Sequence, residues 1–377
     1  MTHRERILAA FDHRAPDRIP VDLGSSYATS IHADAYARVR HYLELPPEPE
    51  PRYLLQRAAS IIPAEDIMER FQIDARPLVI GAPDRQPGGL AAGNAYVDEW
   101  QVTWTKPEGG HFLNTDGPFR HLINPKPGDL DGFAWPDPLD PGRFRGLRER
   151  ACALRAATDH AIVLDLWVGL VHIAQFVRGF AEWLEDLVIN PAFAEALMDR
   201  IEDFWVRGSE RALDEAGPYI DVVQFVEDLA SQRGPLMRPE LYRRMVKPHH
   251  RRMAEVVKRH GKRLLFHCCG SAYALLPDLI DIGVDAITPV QVSAVHMDTR
   301  RLKSEFGRDL TFWGGIDTAQ VLPRGTPSDV RAEVRRRIND LAGDGGFVLA
   351  AVHNIQPDVP PENIVAMYDE ALSYSIK

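Results

Sequence analysis

Eight short apolar runs, alternating with longer amphipathic stretches, limit what this chain can become. The runs are 19–23, 73–80, 161–167, 220–226, 263–268, 284–290, 310–313 and 347–352. Between them lie helical patterns at 30–43, 173–187, 192–213, 239–260, 329–341 and 361–374. Within 239–260, Leu241, Met245, Met253, Val256 and Val257 repeat at the spacing of one buried helical face. Strands that alternate with helices pair in parallel through crossover connections. Eight such units close into a (β/α)8 barrel, the predicted fold class, whose usual length is about 250 residues plus insertions. The 377 residues fit one such domain over 1–377 with an inserted segment. An open doubly wound sheet would favour a Gly-rich dinucleotide turn after the first strand. Here Leu23-Gly24-Ser25-Ser26 does not match G-x-G-x-x-G.

The insertion is expected at 81–138, after the second strand. Gly and Pro are frequent there, Tyr96 to Trp104 alternates like a strand, and Gly109-Gly110 marks a turn. A β-hairpin is predicted, with Trp100, Trp104 and Phe112 packing it or serving as a lid. Composition excludes other classes. With 45% apolar and 26% charged residues the chain is globular, and no apolar run approaches the roughly 18 residues of a membrane span. The N-terminus mixes Arg4, Glu5 and Arg6 with Ile7, Leu8 and Phe11, which reads as an amphipathic helix and not a signal peptide. A net charge of −10 argues against nucleic acid as the main partner. Three cysteines cannot build a disulfide framework in a chain of this size, so a reducing, cytoplasmic setting is expected.

In a barrel the active site gathers at the C-terminal ends of the strands. Those ends carry Glu227 and Asp228, then His267, Cys268 and Cys269, then Gln291, Asp317, and His353 with Asn354. The sharpest signal is Phe266-His267-Cys268-Cys269-Gly270. Side chains at i and i+2 of a strand point the same way, so His267 and Cys269 can converge on one ion, while Cys268 faces the packing side. Imidazole and thiolate suit zinc. An isolated H-x-C equally suits a buried His and Cys with no metal. A further ligand is needed; His353 is the first candidate and Glu227 the second, and each can instead be a hydrogen-bonding or ion-paired residue. Cys152, in a charged helical stretch, is expected to be structural. His249-His250, among Arg243, Arg244, Lys247, Arg251 and Arg252, reads as a solvated helical face.

Five segments together resemble the uroporphyrinogen decarboxylase superfamily. They are Asp17-Arg-Ile-Pro-Val21, Glu227-Asp-Leu-Ala-Ser-Gln232, Phe266-His-Cys-Cys-Gly270, Phe312-Trp-Gly-Gly-Ile-Asp317 and the run from His353 to Asn363. None falls within 81–138. The resemblance implies a (β/α)8 barrel and two possible chemistries. The decarboxylase branch works without a cofactor and grips a carboxylated tetrapyrrole with arginines and an aspartate at the end of the second strand; here 24–30 lacks the paired arginines, and the second strand ends Ala75-Arg76-Pro77-Leu78 without that carboxylate. The other branch contains zinc methyltransferases that serve corrinoid proteins and thiols, with H-x-C followed later by a cysteine. His267 and Cys269 match the first part, and His353 stands near the place of the later cysteine.

The resemblance therefore implies a zinc-dependent methyltransferase or demethylase. Zinc would sit on His267, Cys269, His353 and Glu227; His353, Glu227 and Asp317 would carry the chemistry. Gln291, Asn354, Gln356, Arg76 and Trp167 would contact substrate. The expected partners are a small methyl donor or acceptor and a corrinoid on a separate protein, with the assembly open between monomer and homodimer. The alternatives are a metal-free decarboxylase and a non-catalytic corrinoid-binding barrel.

Overall fold

The computed structural model describes residues 1–85 and 94–374, with the backbone but not the side chain of Trp167. Residues 86–93 of the expected insertion lie outside the described residues. Seven strands form one parallel sheet: β1 (Ala75–Val79), β2 (Ala161–Val168), β3 (Val222–Val226), β4 (Arg263–His267), β5 (Ala286–Thr288), β6 (Thr311–Ile316) and β7 (Phe347–Ala351). Each pairs with the next in chain order. The predicted first strand is not a full strand. It makes a single parallel bridge, Val21 to Leu349.

That short segment nonetheless closes the ring. On one side Asp22 N donates to Leu349 O and Leu349 N donates to Pro20 O, both at 2.9 Å. On the other, Asp74 N donates to Val21 O at 2.9 Å, and Val21 N donates to Asp74 Oδ2 at 2.8 Å. Pro20 has no N–H to extend the ladder and Gly24 turns away at φ +85°, so the eighth position is held by a few bonds only.

Inward-pointing residues of the strands fill the barrel. Ala75, Ala161, Val163, Val222, Leu265, Ala286, Trp313, Val348 and Ala350 form a compact inner cluster with Ile7, Ala10 and Phe11 of helix α1 (His3–Phe11). Helix α1 thus stoppers the N-terminal mouth. Burial of Ile7 and Phe11 contributes about 1.5–3 kcal/mol each. With that end sealed, the C-terminal mouth is left for chemistry.

Two helical predictions change. The single helix expected over 173–187 is two, α2 (Leu170–Arg178) and α3 (Phe180–Ile189), because Gly179 sits at φ +100°, where a Cβ would lie 2.2 Å from Glu182 Oε2. The 239–260 stretch starts as a short α turn, passes through a π turn at Tyr242–Val246 and continues as α4 (Lys247–Arg259). Pro248 cannot donate its missing N–H to the preceding turn, which accounts for the wider winding there.

The π turn also overturns the solvated reading of His249-His250. Both side chains are fully buried. His249 meets Glu202 at 2.5 Å, on the long helix Pro191–Ala216, and His250 faces the barrel. The flanking cations behave as expected of a solvated face, Arg251 pairing with Asp281 at 2.6 Å.

The insertion forms a three-stranded antiparallel sheet (Ala95–Val97, Thr103–Thr105, Leu113–Asp116), one strand more than a hairpin. Trp100, Val102, Trp104 and Phe119 join the main hydrophobic core. Arg178 ties this segment down by donating to Phe119 O at 2.7 Å while its Nε holds buried Asp186 at 2.6 Å. A second small antiparallel sheet, Ile31–His32, Ser60–Ile62 and Arg52–Leu55, flanks the mouth; nothing in the apolar pattern announced it. Among the described residues no helix is long and apolar enough to cross a membrane.

Candidate metal centre at the barrel mouth

Strand β4 ends with His267, and the chain leaves it through Cys268, Cys269 and Gly270. His267 continues the inward parity of Leu265 and is 2% exposed. Cys269 turns back beside it, with Sγ 3.4 Å from His267 Nε2. Gly270 permits that turn: it has φ +85°, and a Cβ would sit 2.5 Å from Ser231 O. Cys268 packs the other way, fully buried, where Leu229 N donates to its sulfur at 3.4 Å.

His353 follows β7 and approaches from the other side of the mouth, its ring edge-on to His267 with centroids 5.6 Å apart. One ligand atom from each of His267, Cys269 and His353 lies within 4.8 Å of the other two. Two imidazoles and one thiol suit zinc, with a position left for substrate. The neighbours support that use. His353 Nδ1–H donates to Asn354 Oδ1 at 2.5 Å, which leaves Nε2 with its lone pair free. Gln356 Nε2 donates to the same oxygen at 2.9 Å and fixes the amide. His267 Nδ1 is buried with no hydrogen-bond partner among the described residues.

Burial pushes the His267 pKa down to about 3, helped by the nearby imidazoles and opposed by Asp228. Burial lowers that of His353 as well. Both rings are therefore neutral and ready to donate a lone pair. The Cys269 thiol is pushed up by burial and by the charge of Asp228; a bound cation inverts that cost and favours the thiolate.

The family assignment rests on direct comparison. A family model described as uroporphyrinogen decarboxylase (URO-D) matches residues 116–374. The chain belongs to the uroporphyrinogen decarboxylase family. Among curated relatives it is 25% identical over 260 residues to a methylated-thiol–coenzyme M methyltransferase of Methanosarcina mazei, covering 68% of this chain and 66% of that one. It is 26% identical over 212 residues to a methylcobamide:CoM methyltransferase of the same organism, covering 56% and 58%. A uroporphyrinogen decarboxylase of Syntrophotalea carbinolica is 30% identical over 138 residues, covering 36% and 38%. The chain thus spans 66% or less of the length of these relatives. A solved structure described as a methyltransferase from Methanosarcina mazei superposes with a TM-score of 0.67 at 20% identity, covering 98% of both chains, and shares the fold.

Within this URO-D barrel the predicted site residues divide. Gln291 joins the centre: its Oε1 accepts from Gly270 N at 2.5 Å, and it lines a cavity of about 400 Å³ together with Cys269 and His353. Asn354 and Gln356 act through His353. Glu227 stands apart from the three ligand atoms. It is fully buried, both oxygens accept from Val171 N at 3.0 Å in the first turn of α2, and His250 Nε2 donates to it at 3.1 Å. Gly169 makes room, since a Cβ there would lie 2.3 Å from Glu227 Oε1. Glu227 is an anion seated on a helix N-terminus. Burial opposes its charge, but His172 and His250 outweigh that and hold its pKa down to about 2.

Arg76 is also placed elsewhere. It lies near the N-terminal end of β1, donates to Glu65 at 3.0 Å and binds the carbonyls of Ile73 and Ala75. Asp317 accepts from Ala319 N at 2.8 Å and so fixes the turn after β6. The side chain of Trp167 lies outside the described residues.

Two groups that the site-residue prediction omitted belong here. Asp228 Oδ1 accepts from Cys269 N at 2.9 Å and lies 3.8 Å from His267 Nε2. His172, at the start of α2, places Nε2 3.4 Å from Asp228 and Nδ1 3.6 Å from Glu227. Burial disfavours its cation, yet the two carboxylates prevail and push its pKa up to about 10. The signal for Asp228 was in the sequence as the second acid at a strand end. For His172 there was none, because it falls between the apolar run 161–167 and the helical pattern 173–187.

Proposed function

We propose that this chain is a methyltransferase or demethylase that moves a methyl group between a small substrate and a corrinoid or thiol acceptor. Zinc would be held by His267, Cys269 and His353. The observation that carries this reading is the convergence of those three ligand atoms at the open end of a barrel sealed at the other. The curated relatives named as methyltransferases point the same way. A zinc ion there supplies a Lewis acid that lowers the pKa of a bound thiol or hydroxyl and stabilises its anion.

The chain's own residues do the rest. Asn354 and Gln356 hold the His353 tautomer. Asp228 and Gln291 accept the backbone N–H groups of Cys269 and Gly270 and so fix the loop that carries the sulfur. The His172 cation balances Asp228 and Glu227 beside it. Tyr27 packs edge-on to His353, centroids 5.6 Å apart, and screens that ring from water. In the transfer the methyl group leaves as a cation equivalent: the atom it leaves keeps the bonding pair, and the acceptor supplies its own. The acceptor is a corrinoid on a separate protein or a thiol, and the free thiols of Cys152, Cys268 and Cys269 suit a reducing compartment.

A carboxylated tetrapyrrole fits less well. Among the described residues lining the two cavities at the mouth, Arg57 is the one Lys or Arg side chain, where eight carboxylates demand several. The test is elemental analysis of the purified chain and of His267→Ala, Cys269→Ser and His353→Ala. About one zinc per chain, lost in each variant, is the expected result. Stoichiometric zinc retained in all three removes the proposed centre.

A further inference from the structure

A second cavity, of about 430 Å³, lies over the C-terminal ends of β1, β2 and β3 beneath the inserted sheet. Its wall is aromatic. The rings of Tyr96 and Trp104 are nearly parallel, 12° apart with centroids 6.3 Å distant, and Phe176 meets Trp104 edge-on at 5.0 Å. Tyr27 belongs to the same wall and touches His353, so the cavity borders the metal centre there.

The wall also holds one cation. The Arg57 guanidinium sits 4.4 Å from the centroid of the Trp104 ring. Among the described residues no carboxylate lies within ion-pair distance of it, although most arginines in this chain have one. Asp98 lines the same cavity, but its oxygens accept from Trp100 N at 2.9 Å, Val102 N at 3.0 Å and Trp104 Nε1 at 2.7 Å. Glu99, also in the wall, is held by Arg143, and Asp165, the third carboxyl, is kept protonated up to about pH 7 by burial, against the pull of the Tyr27 N–H. A half-buried guanidinium over an indole, with the nearby acids engaged or neutral, is a receptor for an anion.

We propose that this cavity binds a small arene carboxylate, its ring against Tyr96, Trp104 and Phe176 and its carboxylate on Arg57. As the substrate of the methyl transfer it rests on the reading above; as a binding site it does not. Flat walls favour a flat ligand, because stacked and edge-on ring contacts add to the area buried. An aliphatic acid of equal charge gains the ion pair without the stacking, and an uncharged arene gains the reverse.

The test is direct binding to the purified chain, by calorimetry and by quenching of tryptophan fluorescence. The probes are 4-methoxybenzoate, methoxybenzene, hexanoate and 2-mercaptoethanesulfonate. The wild type is expected to bind 4-methoxybenzoate more tightly than the other three. Arg57→Gln should weaken the methoxybenzoate complex at least about tenfold while leaving methoxybenzene unchanged, and Arg57→Lys should restore part of the loss. Thermal melts establish that the variants fold. Equal affinity in wild type and Arg57→Gln, tighter binding of hexanoate or 2-mercaptoethanesulfonate, or no binding of the arene acid overturns the proposal. Cys269→Ala separates the two readings, since it removes a proposed metal ligand but leaves this wall intact. Arene binding that survives it in a protein without methyl transfer supports the cavity alone. Zinc bound by the wild type and lost in Cys269→Ala, with no arene binding to either, supports the metal centre alone.

Discussion

Replacing Asp165 by asparagine isolates the cost of charge inside the barrel mouth. In the unfolded chain this carboxyl ionises near 3.8; in the fold, burial holds the proton up to about 7. Below 3.8 both states are protonated and the group costs nothing. Above that the unfolded chain gives up its proton first, so the wild type loses stability as the pH rises, until both states are ionised above about 7. At about 1.4 kcal/mol per pH unit the full penalty is about 4 kcal/mol, of which about 3 falls between pH 5 and pH 8. Asparagine is nearly isosteric, and its amide oxygen can accept the Tyr27 N–H that Asp165 Oδ2 now accepts at 2.8 Å. Urea unfolding of both proteins across this pH range is the assay. Asp165→Asn should gain up to about 3 kcal/mol on the wild type from pH 5 to pH 8, with the gain levelling above neutrality. Parallel curves would show that Asp165 is solvated and ionised in the fold, and would refute the argument.

Two further substitutions probe the centre through its supports. Asn354→Ala removes the acceptor that orients His353 and is expected to weaken zinc binding about 10- to 100-fold in a chelator competition; unchanged affinity would show that His353 needs no orientation. Gly270→Ala forces a Cβ to within 2.5 Å of Ser231 O and 2.8 Å of Ala230 O at φ +85°. It should cost at least about 1–2 kcal/mol and release zinc together with the lost stability, whereas a variant with normal melting and normal zinc would show the loop to be pliable.

Much of the barrel was legible because alternation of apolar runs with helices is set by burial on both sheet faces, a property of local composition. What escaped was decided by longer-range contacts. The segment 19–23 reads as a strand from its apolar content, yet Pro20 leaves it only a few bonds to Leu349 and Asp74. Gly179 splits one amphipathic pattern into two helices because of its φ and the proximity of Glu182, neither visible in a hydrophobic period. His249 and His250 sit among five cations and read as wet; the turn at Tyr242–Val246 and the acids Glu202 and Glu227, distant in sequence, bury both.

Glu227 and Arg76 point away from the mouth for one cause, strand parity. Along β3, Val222 faces the barrel interior and Phe225 faces the helices. Continuing that alternation brings Asp228 to the mouth and sends Glu227 outward, onto the N-terminus of α2 and toward His250. Along β1, Ala75 is inner and Val79 reaches the cavity wall, so Arg76 must point out, and it does, to Glu65. Along β2, Ala161 and Val163 are inner and Asp165 follows them into the mouth. His267 obeys the same rule: Leu265 is inner, so His267 is as well, and Cys269 turns back beside it. Proximity to a strand end is thus a weaker guide than parity with the residues that fill the barrel below. Applied to every strand, parity favours Asp228 over Glu227 and sets Arg76 aside.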